Sequence, residues 1–241
     1  MRKRLCTCVL ICFSLLFISC SDRDGQILDR LFRTETGEYA GEEIDAERIK
    51  ELEEHIKRYS DETEQLVKDT GKLGIYYKML ALDYMDEEMY GPAVEYFGKA
   101  LEIYPNNHVL HYYMGLSQSQ FAGAQEGEDK RIEMLNEAAY HHQRAVELKP
   151  DYFDALYALS VLYIFELDKP IAAEEYVQRA LAIKPKNVNT LFLLARIRVI
   201  QGRFEEAVEV YDRIIEESES VEVRNRATEN RDRIIGGAYD G

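Results

Sequence analysis

Cysteine is scarce in this chain and unevenly placed. The four cysteines are Cys6, Cys8, Cys12 and Cys20, and residues 21–241 contain none. An internal disulfide and a cysteine nucleophile are therefore both excluded from the long remainder of the chain. Glycine-rich loops of the two common nucleotide-binding patterns are missing as well. Any folded part beyond Cys20 must be stabilised by packing.

Basic residues are also in deficit. The chain has 30 Lys and Arg against 45 Asp and Glu, a formal net charge of −15. Phosphate backbones and anionic lipid headgroups attract basic surfaces, so we expect no nucleic-acid partner and no polybasic membrane contact. The hydrophobic content of 46% is too high for a disordered chain.

The N-terminus has the pattern of a secretory signal. Arg2, Lys3 and Arg4 precede an apolar run, Leu5 to Ile18, that is too short to cross a bilayer as a helix. The run ends at Phe17-Ile18-Ser19-Cys20, which resembles the lipobox of bacterial lipoproteins, although Phe17 is bulkier than the usual Leu. The resemblance implies a signal peptide over residues 1–19, a lipid on Cys20 and a periplasm-facing protein of the bacterial envelope. An ordinary secretory signal with another cleavage site and an uncleaved anchor are the alternatives.

Residues 20–44 are predicted to be a flexible tether. They include Gly25, Gly37 and Gly41, scattered charges and only weak periodicity. We expect this segment to hold the folded part away from the membrane.

A repeated pattern organises the rest of the chain. Three segments end alike, at Pro105, Pro150 and Pro185, each five residues after an alanine. A second alanine lies seven residues before each of those: Ala93 before Ala100, Ala138 before Ala145, and Ala173 before Ala180. This spacing places both alanines on one helix face, and the proline ends the helix.

These segments resemble the second helix of the tetratricopeptide repeat, whose unit is about 34 residues. The resemblance implies an all-α fold, a right-handed superhelix of about four helix-turn-helix repeats. The predicted units are 74–107, 108–152, 153–187 and 188–219, with a capping helix over 45–70 and a capping helix and tail over 220–241. Small residues are expected where the two helices of a unit cross, because only small side chains fit there: Ala81, Gly115, Ser160 and Ala195 on the first helices, and Ala93, Ala138, Ala173 and Ala207 on the second.

Three departures from the repeat are visible. The second unit has about eleven extra residues, around Gly123 to Glu133, which are either a docking element or a tolerated surface loop. The third has one extra residue, predicted in the turn near Asp168 and Lys169. The fourth has Ile214 in place of a small residue and lacks the final proline, as is common where stacking stops.

The resemblance also implies a binding groove lined by the first helix of each unit. Aligning the units gives a row of Lys78, Tyr112, Tyr157 and Phe192, whose three aromatic residues suit an extended peptide or an amphipathic helix. The alternative is that these side chains pack against the neighbouring unit. A clamp for a terminal carboxylate, made by Lys and Asn in this family, is not expected because Leu82 occupies the Asn position. The predicted groove residues are Lys78, Leu82, Tyr112, Tyr113, Leu116, Tyr157, Val161, Ile164, Asn189, Phe192 and Arg196.

No catalytic or metal-binding constellation is found in the sequence. His141 and His142 are adjacent and point about 100° apart on a helix. His108 and His111 share a face, but no third ligand accompanies them. The acidic pairs Glu174-Glu175 and Glu205-Glu206 lie at helix starts, where they favour the helix dipole. We therefore expect no enzyme activity, no cofactor and no metal.

The sequence thus predicts a membrane-anchored interaction scaffold that docks a protein partner, with envelope or outer-membrane protein assembly as its role. The alternatives are an accessory lipoprotein of a periplasmic solute transporter and a groove that binds a small apolar ligand.

Overall fold

The structure, a computed structural model, describes residues 46–237, apart from the side chains of residues 46–49, 51 and 52. The predicted signal peptide, Cys20, the tether and the last four residues of the tail lie outside the described residues. The chain divides into two units, residues 1–63 and residues 64–241. Within the described range every regular element is a helix, so the predicted all-α solenoid is confirmed.

Nine α-helices and one π-helical turn make up the described range. In chain order they are α1 (Ala46–Asp86), α2 (Tyr90–Ile103), α3 (His108–Ala122), α4 (Glu128–Leu148), α5 (Phe153–Val161), the π turn (Leu162–Glu166), α6 (Pro170–Ile183), α7 (Val188–Ile200), α8 (Phe204–Glu217) and α9 (Val221–Ile235).

The first helix is longer than the sequence pattern indicated. A separate capping helix over 45–70 was predicted, but α1 continues without a break to Asp86. Gly71 and Gly74 lie within this helix, and their missing side chains leave room for Tyr104. The Tyr104 hydroxyl donates to the carbonyl of Gly71 at 2.7 Å, and a β-carbon on Gly74 would lie 2.6 Å from that ring. These glycines serve a close approach between α1 and the end of α2.

Small residues bring the paired helices of each repeat together within residues 64–241. Ala81, Ser160 and Ala195 on the first helices of their repeats are fully buried, as are Ala93, Ala138, Ala173 and Ala207 on the second helices. Gly115 is buried in the same way. Each helix packs mainly against its neighbours in sequence, so the core is a series of clusters along the array.

The turns between paired helices need a left-handed residue. Glu88, Asp168 and Gly202 have φ values of 58°, 49° and 70°, and Gly127 has 98°. Only glycine adopts this region without strain from its side chain. Glu88 and Asp168 are therefore held there by the packing of the helices on either side.

The extra residue of the third repeat is absorbed in a helix rather than in the turn. It was predicted near Asp168 and Lys169, but α5 continues into the π turn, where the amide of Leu167 donates to the carbonyl of Leu162 at 3.0 Å. A π turn accommodates one extra residue and shifts the side chains after it by about one position. This shift changes which residues reach the surface.

The insertion of the second repeat becomes mostly helix. Only residues 123–127 separate α3 from α4, and α4 has 21 residues against 14 in α2, α6 and α8. Ile132 packs on the core, and Arg131 bridges Glu128 on its own helix and Glu166 in the next repeat. The extension is thereby joined to the third repeat.

The last repeat is closed by α9. Ile214, which replaces a small residue, is fully buried in one cluster with Ala227 of α9, so the small partner has moved to the capping helix. Across residues 46–237, no helix combines the length and the apolar character needed to span a bilayer.

Candidate functional site

A concave site lies at the C-terminal end of the array. It is an open cavity of about 780 Å³, which we call the C-terminal cavity. The first helices of the third and fourth repeats form two of its walls, α8 contributes one residue, and α9 closes it. Its lining residues are Tyr157, Val161, Phe165, Asn189, Phe192, Leu193, Arg196, Val199, Ile200, Tyr211, Arg226, Asn230 and Arg233.

Aromatic side chains that pack against other aromatic rings form part of the cavity wall. Tyr157 stacks on Phe153 with ring centroids 6.2 Å apart, and Phe192 lies 6.1 Å from Tyr211. Burial raises the pKa of the Tyr157 phenol, so this side chain is neutral at physiological pH. The rings are thus held in place while one side of each faces the cavity.

Three arginines lie among these rings. The guanidinium of Arg226 is 4.1 Å from the centroid of Phe192, and that of Arg196 is 4.8 Å from the centroid of Phe165. Arg233 forms an ion pair with Glu229 one turn earlier in α9. Attraction between a cation and an aromatic face contributes about 0.5–2 kcal/mol, and it fixes the orientation of the guanidinium.

Five predicted groove residues line this cavity: Tyr157, Val161, Asn189, Phe192 and Arg196. Ile164 was predicted to face the groove, and that prediction is wrong. Ile164 is 4% exposed and packs in the core with Val177 and Ile197.

Phe165, which the repeat alignment missed, lines the cavity in its place and is 52% exposed. The π turn explains the exchange, because it moves the surface position one residue along the chain. The extra residue of the third repeat was the only signal for it in the sequence.

The remaining predicted groove residues do not line the cavity. Tyr112 is half-buried beside Tyr152, at 5.3 Å between centroids, and Tyr113 stacks on Phe97 at 6.0 Å. Leu82 packs on the core of the first repeat, whereas Leu116 and Lys78 are half-buried. Tyr112 also packs on a core cluster with Ala155 and Leu156 of the third repeat, so both tyrosines follow the alternative in which groove residues pack between units. The three-aromatic row is divided, with Tyr157 and Phe192 at the cavity and Tyr112 outside it.

Histidines form a pair that the spacing did not predict. His111 is joined to His141 of the next helix, with 2.9 Å between their Nδ1 atoms, and not to His108. The Nε2 of His111 lies 3.0 Å from the carbonyl of Pro105, which only accepts, so Nε2 carries the proton and Nδ1 accepts from His141. In residues 46–237 no three His, Cys, Asp or Glu side chains are grouped to hold a metal ion.

The acidic residues at helix starts have structural partners. Arg198 is 7% exposed and forms ion pairs with Glu174 and, at 3.2 Å, with Glu206. Hydrogen bonds from Gln201 and Arg198 hold the pKa of Glu174 below its usual range. Glu174 thus joins the third repeat to the fourth through Arg198, and Glu206 joins the two helices of the fourth repeat.

Comparison with known proteins points to one class. Residues 76–107 and residues 165–222 each match a family model described as tetratricopeptide repeat. A "TPR repeat-containing protein" of Borreliella burgdorferi is 26% identical over 170 residues, which cover 70% of this chain and 74% of that protein.

Two solved structures have a similar fold. The human IFIT1 dimer with m7Gppp-AAAA has a TM-score of 0.56 and 25% identity. The similarity covers 66% of this chain but only 38% of the human chain. YrrB, described as a TPR protein with an unusual peptide-binding site, has a TM-score of 0.54 and 18% identity, over 71% of this chain and 86% of its own.

The matched segments and the fold together define a tetratricopeptide-type helical solenoid. Two segments of the chain are recognised tetratricopeptide repeats, and the solenoid built from them is the one seen in solved proteins of this type.

Proposed function

We propose that this protein is a lipid-anchored, non-enzymatic scaffold of a bacterial envelope whose C-terminal cavity docks a protein partner involved in outer-membrane protein assembly. The observation that carries the proposal is the composition of the cavity. Braced aromatic rings provide apolar contact area, and arginine and asparagine side chains provide hydrogen-bond donors around them. Extended peptides are recognised by this combination of apolar surface and polar groups.

Helical-repeat architecture supports docking rather than catalysis. Side chains of different repeats line one continuous surface, and each repeat is held by its neighbours, so the surface is formed before a partner arrives. The cavity lacks a nucleophile paired with a base. We expect the isolated chain to turn over no substrate.

A small ligand is the second candidate occupant. The cavity volume of about 780 Å³ lies in the range of sites for such molecules. A bound small molecule would copurify with the chain and would be visible by native mass spectrometry.

The membrane anchor has its own test. If Cys20 carries lipid, Cys20→Ser will abolish incorporation of radiolabelled palmitate and move the protein from the membrane fraction to the soluble fraction. Unchanged labelling and fractionation of Cys20→Ser would contradict the anchor and leave the docking proposal intact.

Docking is tested by site-specific photocrosslinking in cells. A photoreactive amino acid at position 165 should capture a defined envelope protein. Phe192→Ser together with Tyr157→Ser should abolish the crosslink, once circular dichroism shows that the variant is folded. Tyr140→Ser together with Ile171→Ser removes exposed apolar residues elsewhere and should leave the crosslink unchanged.

The identity of the captured protein decides the pathway. An outer-membrane assembly component supports the proposed role, whereas a periplasmic transporter component points to the accessory role. Equal capture by the parent and by Phe192→Ser with Tyr157→Ser would contradict docking in the cavity.

A further inference from the structure

We infer that the C-terminal cavity recognises carboxylates, and that its occupant is an acidic, extended peptide segment of the partner protein. This inference rests on the proposed docking function and specifies the chemistry of what is docked.

The charge of the cavity is opposite to that of the chain. Acidic residues outnumber basic ones 45 to 30 overall. Among the thirteen lining residues, however, three are arginines and none is Asp or Glu. Because the rest of the chain is acidic, this local reversal identifies the cavity as a place for negative charge.

Two of the arginines are free of carboxylates. Within residues 46–237 neither Arg196 nor Arg226 forms an ion pair, whereas Arg198, Arg213 and Arg231 each do. Arg196 and Arg226 instead lie over Phe165 and Phe192. A guanidinium held on an aromatic ring keeps the N–H groups at its edge, where a carboxylate accepts two of them at once.

Two side-chain amides of the cavity can form hydrogen bonds with a peptide backbone. Asn189 is exposed on α7 and Asn230 is half-exposed on α9, and neither side chain has a hydrogen bond within the described part of the chain. A side-chain amide donates and accepts, so it can pair with the N–H and C=O groups of an extended strand. The aromatic rings of the same cavity offer contact for apolar side chains.

A short peptide fits this charge distribution better than a nucleic acid. A long polyanion that reached the cavity would also meet the acidic surface of the remaining chain and be repelled. A segment with two to four carboxylates keeps its charge inside the cavity.

The test uses the full-length chain in detergent micelles and an array of immobilised ten-residue peptides in matched pairs. One member of each pair has two Asp and two Glu residues, and the other has Asn and Gln at the same positions. The three proteins compared are the parent, Arg196→Gln with Arg226→Gln, and a control, Lys68→Gln with Lys72→Gln. The control makes the same charge change at exposed sites on α1. Dissociation constants for the strongest pairs are then measured by fluorescence anisotropy.

The parent should bind acidic members at least about tenfold more tightly than their amide partners. This ratio corresponds to a difference in binding free energy of about 1.4 kcal/mol. The affinity of the arginine variant for acidic members should be about tenfold or more lower than that of the parent, and its affinity for the amide members should be unchanged. The control should bind both members as the parent does. Equal binding of both members, retained binding by the arginine variant, binding to no acidic peptide, or tighter binding to single-stranded RNA would each overturn the inference.

The in-cell crosslink separates this inference from the docking proposal. If the arginine variant keeps the partner while Phe192→Ser with Tyr157→Ser loses it, docking is correct and carboxylate recognition is wrong.

Discussion

The imidazole ring of His142 lies directly against the α-carbon of Gly115. A β-carbon on Gly115 would be 2.7 Å from Cε1 of the ring, closer than van der Waals contact allows. His142 is 1% exposed, so the ring has no free space into which it could retreat. In the second repeat, therefore, a glycine that lies against a buried histidine stands where the first helices of the other repeats have alanine or serine.

Substituting Gly115 should destabilise the fold because of this contact. We expect Gly115→Ala to lower the free energy of unfolding by about 1–3 kcal/mol, the usual cost of overpacking, despite the higher helix propensity of alanine. Urea denaturation provides the measurement. In a His142→Ala background the same change should cost much less, because the ring is gone. Equal costs in both backgrounds would contradict a steric origin.

Acid should weaken the second repeat through its buried histidines. Burial lowers the pKa of His142 to about 3 and, together with His111, that of His141 to about 4. In the unfolded chain both titrate near 6.5. As pH falls from 6.5 towards 4, the unfolded state therefore binds protons that the folded state does not. Stability should fall by at most about 1.4 kcal/mol per pH unit for each histidine.

The comparison that isolates this effect is the parent against His141→Gln with His142→Gln. Urea midpoints at pH 7 and pH 5 should differ less in the variant than in the parent, whatever its stability at pH 7. A variant with the same pH dependence as the parent would show that other groups carry it.

Removing the Arg198 guanidinium should uncouple the third and fourth repeats. Arg198→Met retains the apolar stem but leaves Glu174 without its buried cation. We expect this change to lower the free energy of unfolding by about 3 kcal/mol. Arg203→Met is the control, because Arg203 is more exposed and pairs with the same two carboxylates. It should cost about 1 kcal/mol or less. Similar losses for the two would argue against a special role for the buried pair.

The left-handed turn positions predict opposite effects of glycine and alanine. At Glu88, φ is 58°, so Glu88→Gly should raise the free energy of unfolding by about 0.5–1 kcal/mol through relief of strain. At Gly202, φ is 70°, and Gly202→Ala should lower it by about 1 kcal/mol. Thermal unfolding of the two variants checks the signs, and a destabilised Glu88→Gly would show that its side chain contributes more than the backbone costs.

The π turn makes adjacent residues behave differently. Phe165→Ser should leave the fold intact while weakening partner capture, because Phe165 is exposed at the cavity. Ile164→Ser should lower the free energy of unfolding by about 2–4 kcal/mol, because it places a hydroxyl and a void in the core. Denaturation curves for both variants, and affinity capture of the partner by each variant without a probe at position 165, test the register.

The sequence by itself determined the helical repeat. Ala93 and Ala100, or Ala173 and Ala180, recur seven residues apart, and a buried helix crossing accepts only small side chains, so the pattern is legible without coordinates. The same local logic predicted the repeat units, a capping helix within residues 220–241 and the unusual Ile214. These features depend on contacts within one repeat or between neighbours, which the periodicity records directly.

Only the tertiary structure decided which side chains reach the site. The extra residue of the third repeat is visible in the sequence, but its placement in a π turn is not. The energy of that placement depends on packing around Leu162 and Leu167. Ile164 and Phe165 exchanged roles as a result. The pairing of His111 with His141, and the arrival of Arg226 beside Phe192, join residues 30 and 34 positions apart. Such contacts depend on how helices pack in space, which no local spacing encodes.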